Sequence, residues 1–118
     1  MTRINEVLGR FSDQTSVSRW LVNTPNPGTR KVYLYALERY VGFTGKEPDE
    51  LVASGRESGE YAHDLLKMFY NSLNLASKSK MAVYQSIRSF DGANRVVLGR
   101  KPRTFKASAE YELRNLYT

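Results

Sequence analysis

Asn26-Pro27-Gly28-Thr29-Arg30-Lys31-Val32-Tyr33, running on through Ala36, Leu37, Tyr40 and Phe43 to Gly45, is the stretch from which the fold is read. Asn26 suits an N-cap, and Pro27 suits the first helical position, where a missing N–H costs nothing. Val32, Tyr33, Ala36, Leu37, Tyr40 and Phe43 recur at the period of an α-helix and define a core side, with Lys31, Tyr35 and Glu38 opposite. Gly45 supplies a C-terminal stop.

The pattern repeats outward in both directions. Toward the N-terminus, Asn23-Thr24-Pro25 ends a short amphipathic helix with Val17, Trp20 and Leu21 on one face and cap candidates in Asp13 to Ser16. Residues 1–12 read as a loose or short helical lead-in. Toward the C-terminus, Glu47-Pro48-Asp49-Glu50-Leu51 puts acids in the first turn of a short helix reaching about Ala53, and Ser54-Gly55 reads as a break. Residues 58–73 align Tyr61, Leu65, Leu66, Phe69 and Leu73 in one apolar stripe, the clearest in the chain.

Asn74-Leu75-Ala76 makes a tight corner, after which Ser77 or Ser79 caps a helix whose apolar side is Val83, Tyr84, Ile87 and Phe90. Asp91-Gly92 either ends or kinks it. Residues 95–106 read as an extended basic linker around Pro102, and 108–117 as a last helix with Ala109, Leu113, Leu116 and Tyr117 on one face. The expected fold is all-α, a compact bundle of four to five short helices, with residues 1–95 as the helical domain and 96–118 as the basic linker and the start of a following segment.

Composition bounds the chemistry. The 118 residues suit one core, and the absence of Cys excludes disulfides and Cys-based zinc sites. His63 is the single histidine, too few for a His-rich metal centre. No stretch approaches the roughly 20 apolar residues of a membrane span, and Met1 to Glu6 are too polar for the apolar core of a signal peptide, so a cytoplasmic protein with no membrane partner is expected.

Lys plus Arg number 18 against 12 Asp plus Glu, a formal +6, and the charge is segregated. From Lys78 to Lys106 there are eight bases and one acid, Asp91, whereas from Lys46 to Asp64 six acids stand against two bases. One basic and one acidic side would orient a rod of phosphates.

Opposite the apolar stripe of the helix from Ser77, a helical wheel gathers Lys78, Met81, Ala82, Gln85, Arg88 and Ser89. Small side chains let a helix approach a groove closely, Gln reads adenine edges, Arg or Lys reads guanine, and free N–H groups hold phosphates. A merely solvated face has a similar composition. The starts Thr29-Arg30-Lys31 and Ser77-Lys78-Ser79-Lys80 share a layout of hydroxyls and cations at a helix N-terminus, where a cation is unfavourable until an anion joins it. Their use as a pair requires both starts on a common exposed surface.

The run Asn26-Pro27-Gly28-Thr29-Arg30-Lys31-Val32-Tyr33 with Leu37 and Tyr40, and the later Leu75-Ala76-Ser77-Lys78-Ser79-Lys80 followed by Ile87-Arg88-Ser89-Phe90, resemble the SAM-like N-terminal core-binding domain of tyrosine recombinases, the phage-type integrases. The resemblance covers about residues 12–95. It implies one jaw of a C-shaped clamp on double-stranded DNA, with further copies of the chain on that DNA as a second partner. The contacts it implies are Thr29, Arg30 and Lys31 at one helix start, Ser77, Lys78 and Lys80 at the other, and Gln85 and Arg88 along the length of that second helix. Arg100, Lys101 and Arg103 correspond to a basic interdomain linker, and Glu110-Tyr111-Glu112-Leu113 resembles the entry into a catalytic domain that this chain does not contain.

No catalytic role is expected here. That family uses a Tyr nucleophile cradled by two Arg and a His-x-x-Arg box, and His63-Asp64-Leu65-Leu66 is not that box. Tyr117 lacks a cationic cradle to activate a phenol and reads as core or tail. Glu57, Glu60 and Asp64 share a helical face but read as dipole complements rather than a Mg²⁺ site, and no phosphate loop or Ser-centred elbow occurs. With no cofactor expected, the reading is a DNA-binding clamp domain. The rivals are a helix-turn-helix regulator turning at Asn74-Leu75-Ala76 and a protein-interaction module using the acidic face around Glu47 to Asp64.

Overall fold

Asn26 caps the longest helix as its sequence predicts: its side-chain oxygen accepts the backbone N–H groups of Gly28 at 2.8 Å and Thr29 at 3.1 Å. A computed structural model describes residues 2–99, and among them the regular structure is helical throughout. In chain order the helices are α1 (Thr2–Arg10), α2 (Thr15–Leu21), α3 (Pro27–Thr44), α4 (Pro48–Glu57), α5 (Gly59–Ser72) and α6 (Ser77–Ala93). Gly45 closes α3 with φ +72°, a left-handed conformation that glycine adopts without strain, and its N–H donates to the Val41 carbonyl at 2.8 Å.

The helix count exceeds the four to five expected because the lead-in is a full helix. Val7, and Phe11 just past the end of α1, are buried in the core, so packing holds this short helix in place. On α3 the buried set is Leu34, Ala36, Leu37, Tyr40 and Val41, while Val32 and Phe43 are 50 % and 40 % exposed. The apolar side is therefore rotated from the one read in sequence. The reason is that α3 is contacted by α1 as well as by α6, which widens the buried face to include Leu34 and Val41. On α5 the buried row is Ala62, Leu66 and Phe69, and Tyr61 faces out, about 100° around the helix from its neighbour.

Ser54-Gly55 is not a break. The helix α4 runs through it to Glu57, and Gly55 is buried beneath Val96, so that a Cβ there would lie 2.8 Å from a Val96 methyl. The glycine serves a close approach, not a turn. Val96 is itself buried and Gly99 donates its N–H to the Gly59 carbonyl at 2.9 Å, so the packed core extends past residue 95. The helix expected over 108–117, and Tyr117 with it, lie outside the described residues.

Trp20 joins three helices. Its ring stacks on Tyr33 of α3 at 4.6 Å between centroids, meets Phe90 of α6 edge-on at 5.1 Å, and its indole N–H donates to Ser89 Oγ at 3.0 Å. Such a contact satisfies the polar end of a buried indole while its apolar body fills the core. Ile87 and Phe90 are fully buried, which fixes which side of α6 is left for solvent.

Candidate nucleic-acid interface

With Ser86, Ile87, Phe90 and Asp91 turned inward, α6 presents Lys78, Met81, Ala82, Gln85 and Arg88 outward, all exposed. These are the groove-facing residues expected from the helical wheel except Ser89, which is half-buried and occupied by Trp20. The face carries cations and no carboxylate, because the helix's one acid, Asp91, is on the buried side. The helix ends at Ala93, one residue past Asp91-Gly92.

The end of α6 is locked in place by Asn94, which is fully buried. Its Nδ2 donates to the carbonyls of Ser16 (3.1 Å) and Phe90 (3.0 Å), its Oδ1 accepts from Arg19 Nη1 (3.0 Å), and its backbone oxygen accepts from Arg56 Nε (2.9 Å). The side chain and backbone of this one residue thus tie the end of α6 to α2 and α4. A rigid scaffold lets an exposed face meet a partner at a fixed angle.

The two helix starts differ, although their sequences match. At α3 the N–H groups of Gly28 and Thr29 are taken by Asn26, and Pro27 has none, so no free donors remain there. Arg30 turns back, donating through Nε to the Thr24 carbonyl (2.7 Å) and through Nη2 to the Leu21 carbonyl (3.0 Å). Its guanidinium thereby caps the end of α2. Thr29 is half-buried, and Lys31 is exposed.

At α6 the N-cap is Ala76 rather than Ser77 or Ser79, and no side chain caps the first turn. The N–H groups of Ser77, Lys78 and Ser79 are left open beside the exposed Ser77 and Lys78 side chains. Ser77 occupies the first helical position, one residue too late to cap. The turn bearing Lys31 is tied through Tyr33 and Trp20 to the Ser89–Phe90 level of α6, about 18 Å along the axis from Lys78. The two basic starts thus stand at different levels along α6.

Two cations lie on aromatic rings where α6 packs on α5. Lys80 Nζ sits 4.6 Å above the centre of Tyr70, the Arg88 guanidinium carbon is 5.9 Å from the centre of Tyr84, and the two tyrosines meet edge to face at 5.5 Å. The cations are held by the ring quadrupoles. Arg100, Lys101 and Arg103 lie outside the described residues.

Sequence reasoning passed over Arg95 as a contact. It is exposed just beyond the end of α6 and has φ +63°, a left-handed conformation that side chains other than glycine rarely take. The only signal for it was its place in the basic run.

The acids are largely engaged in structure. Asp49 accepts from the backbones of Thr15 (3.2 Å) and Ser16 (2.8 Å), Glu47 and Glu50 form a capping box, and Glu47 pairs with Arg10 at 3.5 Å. Burial would raise the Asp49 carboxyl, but hydrogen bonds from the Ser16 side chain and backbone, then from Thr15, and the charge of Arg19 together hold it below its ordinary value. Burial lifts the Asp91 carboxyl to about 7. Burial, and then the charges of Asp91 and Tyr61, push the Tyr40 phenol upward, so it is a neutral core group and not an activated nucleophile. Among the described residues no three His, Asp or Glu side chains come together as metal ligands, and no helix is long and apolar enough to cross a membrane.

No family model matches the chain, and no curated protein or solved structure matches it either.

Proposed function

We propose that the chain grips double-stranded DNA with α6 as the contacting helix, in the manner of the clamp domain of a site-specific tyrosine recombinase or integrase. The observation that carries this reading is the outward face of α6, where Lys78, Gln85 and Arg88 stand exposed among small or slender side chains and the helix itself contributes no carboxylate. A carboxylate-free cationic face fits phosphates, and slender residues admit the helix to a groove. The uncapped N–H groups at Ser77 to Ser79 support it, as does Arg95, a cation at a backbone position better suited to glycine. The motifs from Asn26 to Tyr40 and from Leu75 to Phe90 supply the link to recombinases.

In this reading Lys31 and Lys80 flank the face and Arg30 acts by fixing the loop before α3. Catalysis is assigned to no residue of the chain, further copies of it would meet on the DNA, and its place would be with the nucleoid. Fluorescence anisotropy of a labelled duplex at two salt concentrations tests it. Binding should weaken steeply as salt rises, because each neutralised phosphate releases counterions. Binding indifferent to salt discards the phosphate grip.

A second reading has its own support. The helices α5 and α6 are joined by Leu73 to Ala76, close to the roughly three- to four-residue turn of a helix-turn-helix unit. Dimers at half-sites one helical turn apart would favour that arrangement.

A further inference from the structure

The exposed face of α6 has charged ends and an uncharged middle. Lys78 and Arg88 are about 15 Å apart along the axis, a spacing close to the ~12 Å width of a major groove. Arg88 is drawn toward the half-buried Tyr84, which turns its guanidinium toward the flank of the helix. Between the two cations lie Met81, Ala82 and Gln85.

The Gln85 side chain is braced. Its Nε2 donates to the Met81 sulfur at 3.6 Å, one helical turn earlier. That contact uses one amide N–H and leaves the second, together with the carbonyl oxygen, as a donor and an acceptor side by side on an exposed group. In the major groove, adenine is the base that presents the complement, an acceptor at N7 beside a donor at N6. Guanine presents two acceptors, and the Gln85 oxygen opposes one of them. Cytosine offers a lone donor best met by a carboxylate, which the face lacks.

Resting on the reading of α6 as the DNA-facing helix, we infer that this face selects A·T pairs in the major groove. Gln85 accepts from adenine N6 and donates to adenine N7, while the Met81 thioether and the Ala82 methyl cover the thymine 5-methyl group. Lys78 and Arg88 hold the phosphates that border the groove. The bracing by Met81 lowers the cost of ordering an otherwise free amide.

The test compares three duplexes of equal length, built of A·T, G·C or inosine·cytosine pairs. Inosine·cytosine shows the G·C pattern in the major groove but lacks the guanine amino group in the minor groove. The wild type is expected to bind A·T roughly tenfold more tightly than G·C, with inosine·cytosine as weak as G·C. Gln85→Ala should bring all three within about twofold of one another while melting as the wild type does. Three results overturn the inference and leave the phosphate grip standing: equal binding of A·T and G·C with steep salt dependence, inosine·cytosine bound as tightly as A·T, or an A·T preference that survives Gln85→Ala. No salt-dependent binding to any duplex overturns the grip and the inference together.

Discussion

The carboxylate of Asp49, in the first turn of α4, accepts the backbone N–H of Ser16 at 2.8 Å and so caps α2 from a different helix. The exchange is mutual, since the Asp49 N–H donates to the Gln14 side chain at 3.0 Å. Asp49→Ala should cost about 1–2 kcal/mol in denaturant unfolding. Because the folded-state pKa lies below the ordinary 3.8, this stability is present above that value and is lost as pH falls through the lower one. A variant as stable as the wild type at pH 7 would mean that the cap contributes nothing.

Arg95 sets stability against binding. At φ +63° an arginine is strained by about 1 kcal/mol relative to glycine. Arg95→Gly should therefore raise the melting temperature while weakening DNA binding through the loss of one phosphate contact. A variant that gains stability and keeps its affinity would show that the cation faces no DNA.

Arg30 and Lys31 are adjacent in sequence and separate in role. Arg30→Ala takes the donor from the Thr24 carbonyl and leaves the Leu21 carbonyl with the Thr24 N–H alone, and should cost about 1 kcal/mol in stability. Lys31→Ala, at an exposed side chain, should leave melting unchanged and reduce DNA affinity. Thermal melts and anisotropy on the two variants separate these effects, and equal melting of both would remove the capping role of Arg30.

Asp91 makes the fold weaker as pH rises. Its pKa is about 7 in the folded protein against an ordinary 3.8, so the native state keeps a proton that the unfolded state releases. Stability is complete below the lower value, falls by at most about 1.4 kcal/mol per pH unit between the two, and is level above the upper one. Asp91→Asn should flatten that decline and stabilise the protein at pH 8. A wild type whose stability is constant from pH 4 to 7 would contradict the burial argument.

The all-helical fold was legible in the sequence because caps and stops are local: Asn26, Pro27 and Gly45 act within a turn of themselves. The faces were less legible. Val32 and Phe43 have the right period for the core, but α3 is packed on by both α1 and α6, and periodicity alone does not reveal the direction of a second neighbour. Gly55 read as a break because its close partner, Val96, is distant in sequence.

The same division holds for the interface. The outward residues of α6 were readable since Ile87 and Phe90 define its inner side. The likeness of the two helix starts misled, because the use of Arg30 on α2 and of Asn26 on the N–H groups of α3 depends on loop geometry that composition does not encode.

The slope of log affinity against log salt, measured for the wild type and for the Lys78→Glu, Arg88→Glu variant, tests the phosphate grip most directly. The grip predicts weaker binding by the variant, unchanged melting, and a slope shallower by about 1.8, the equivalent of two phosphates. Equal affinity and equal slope for the two proteins would contradict it.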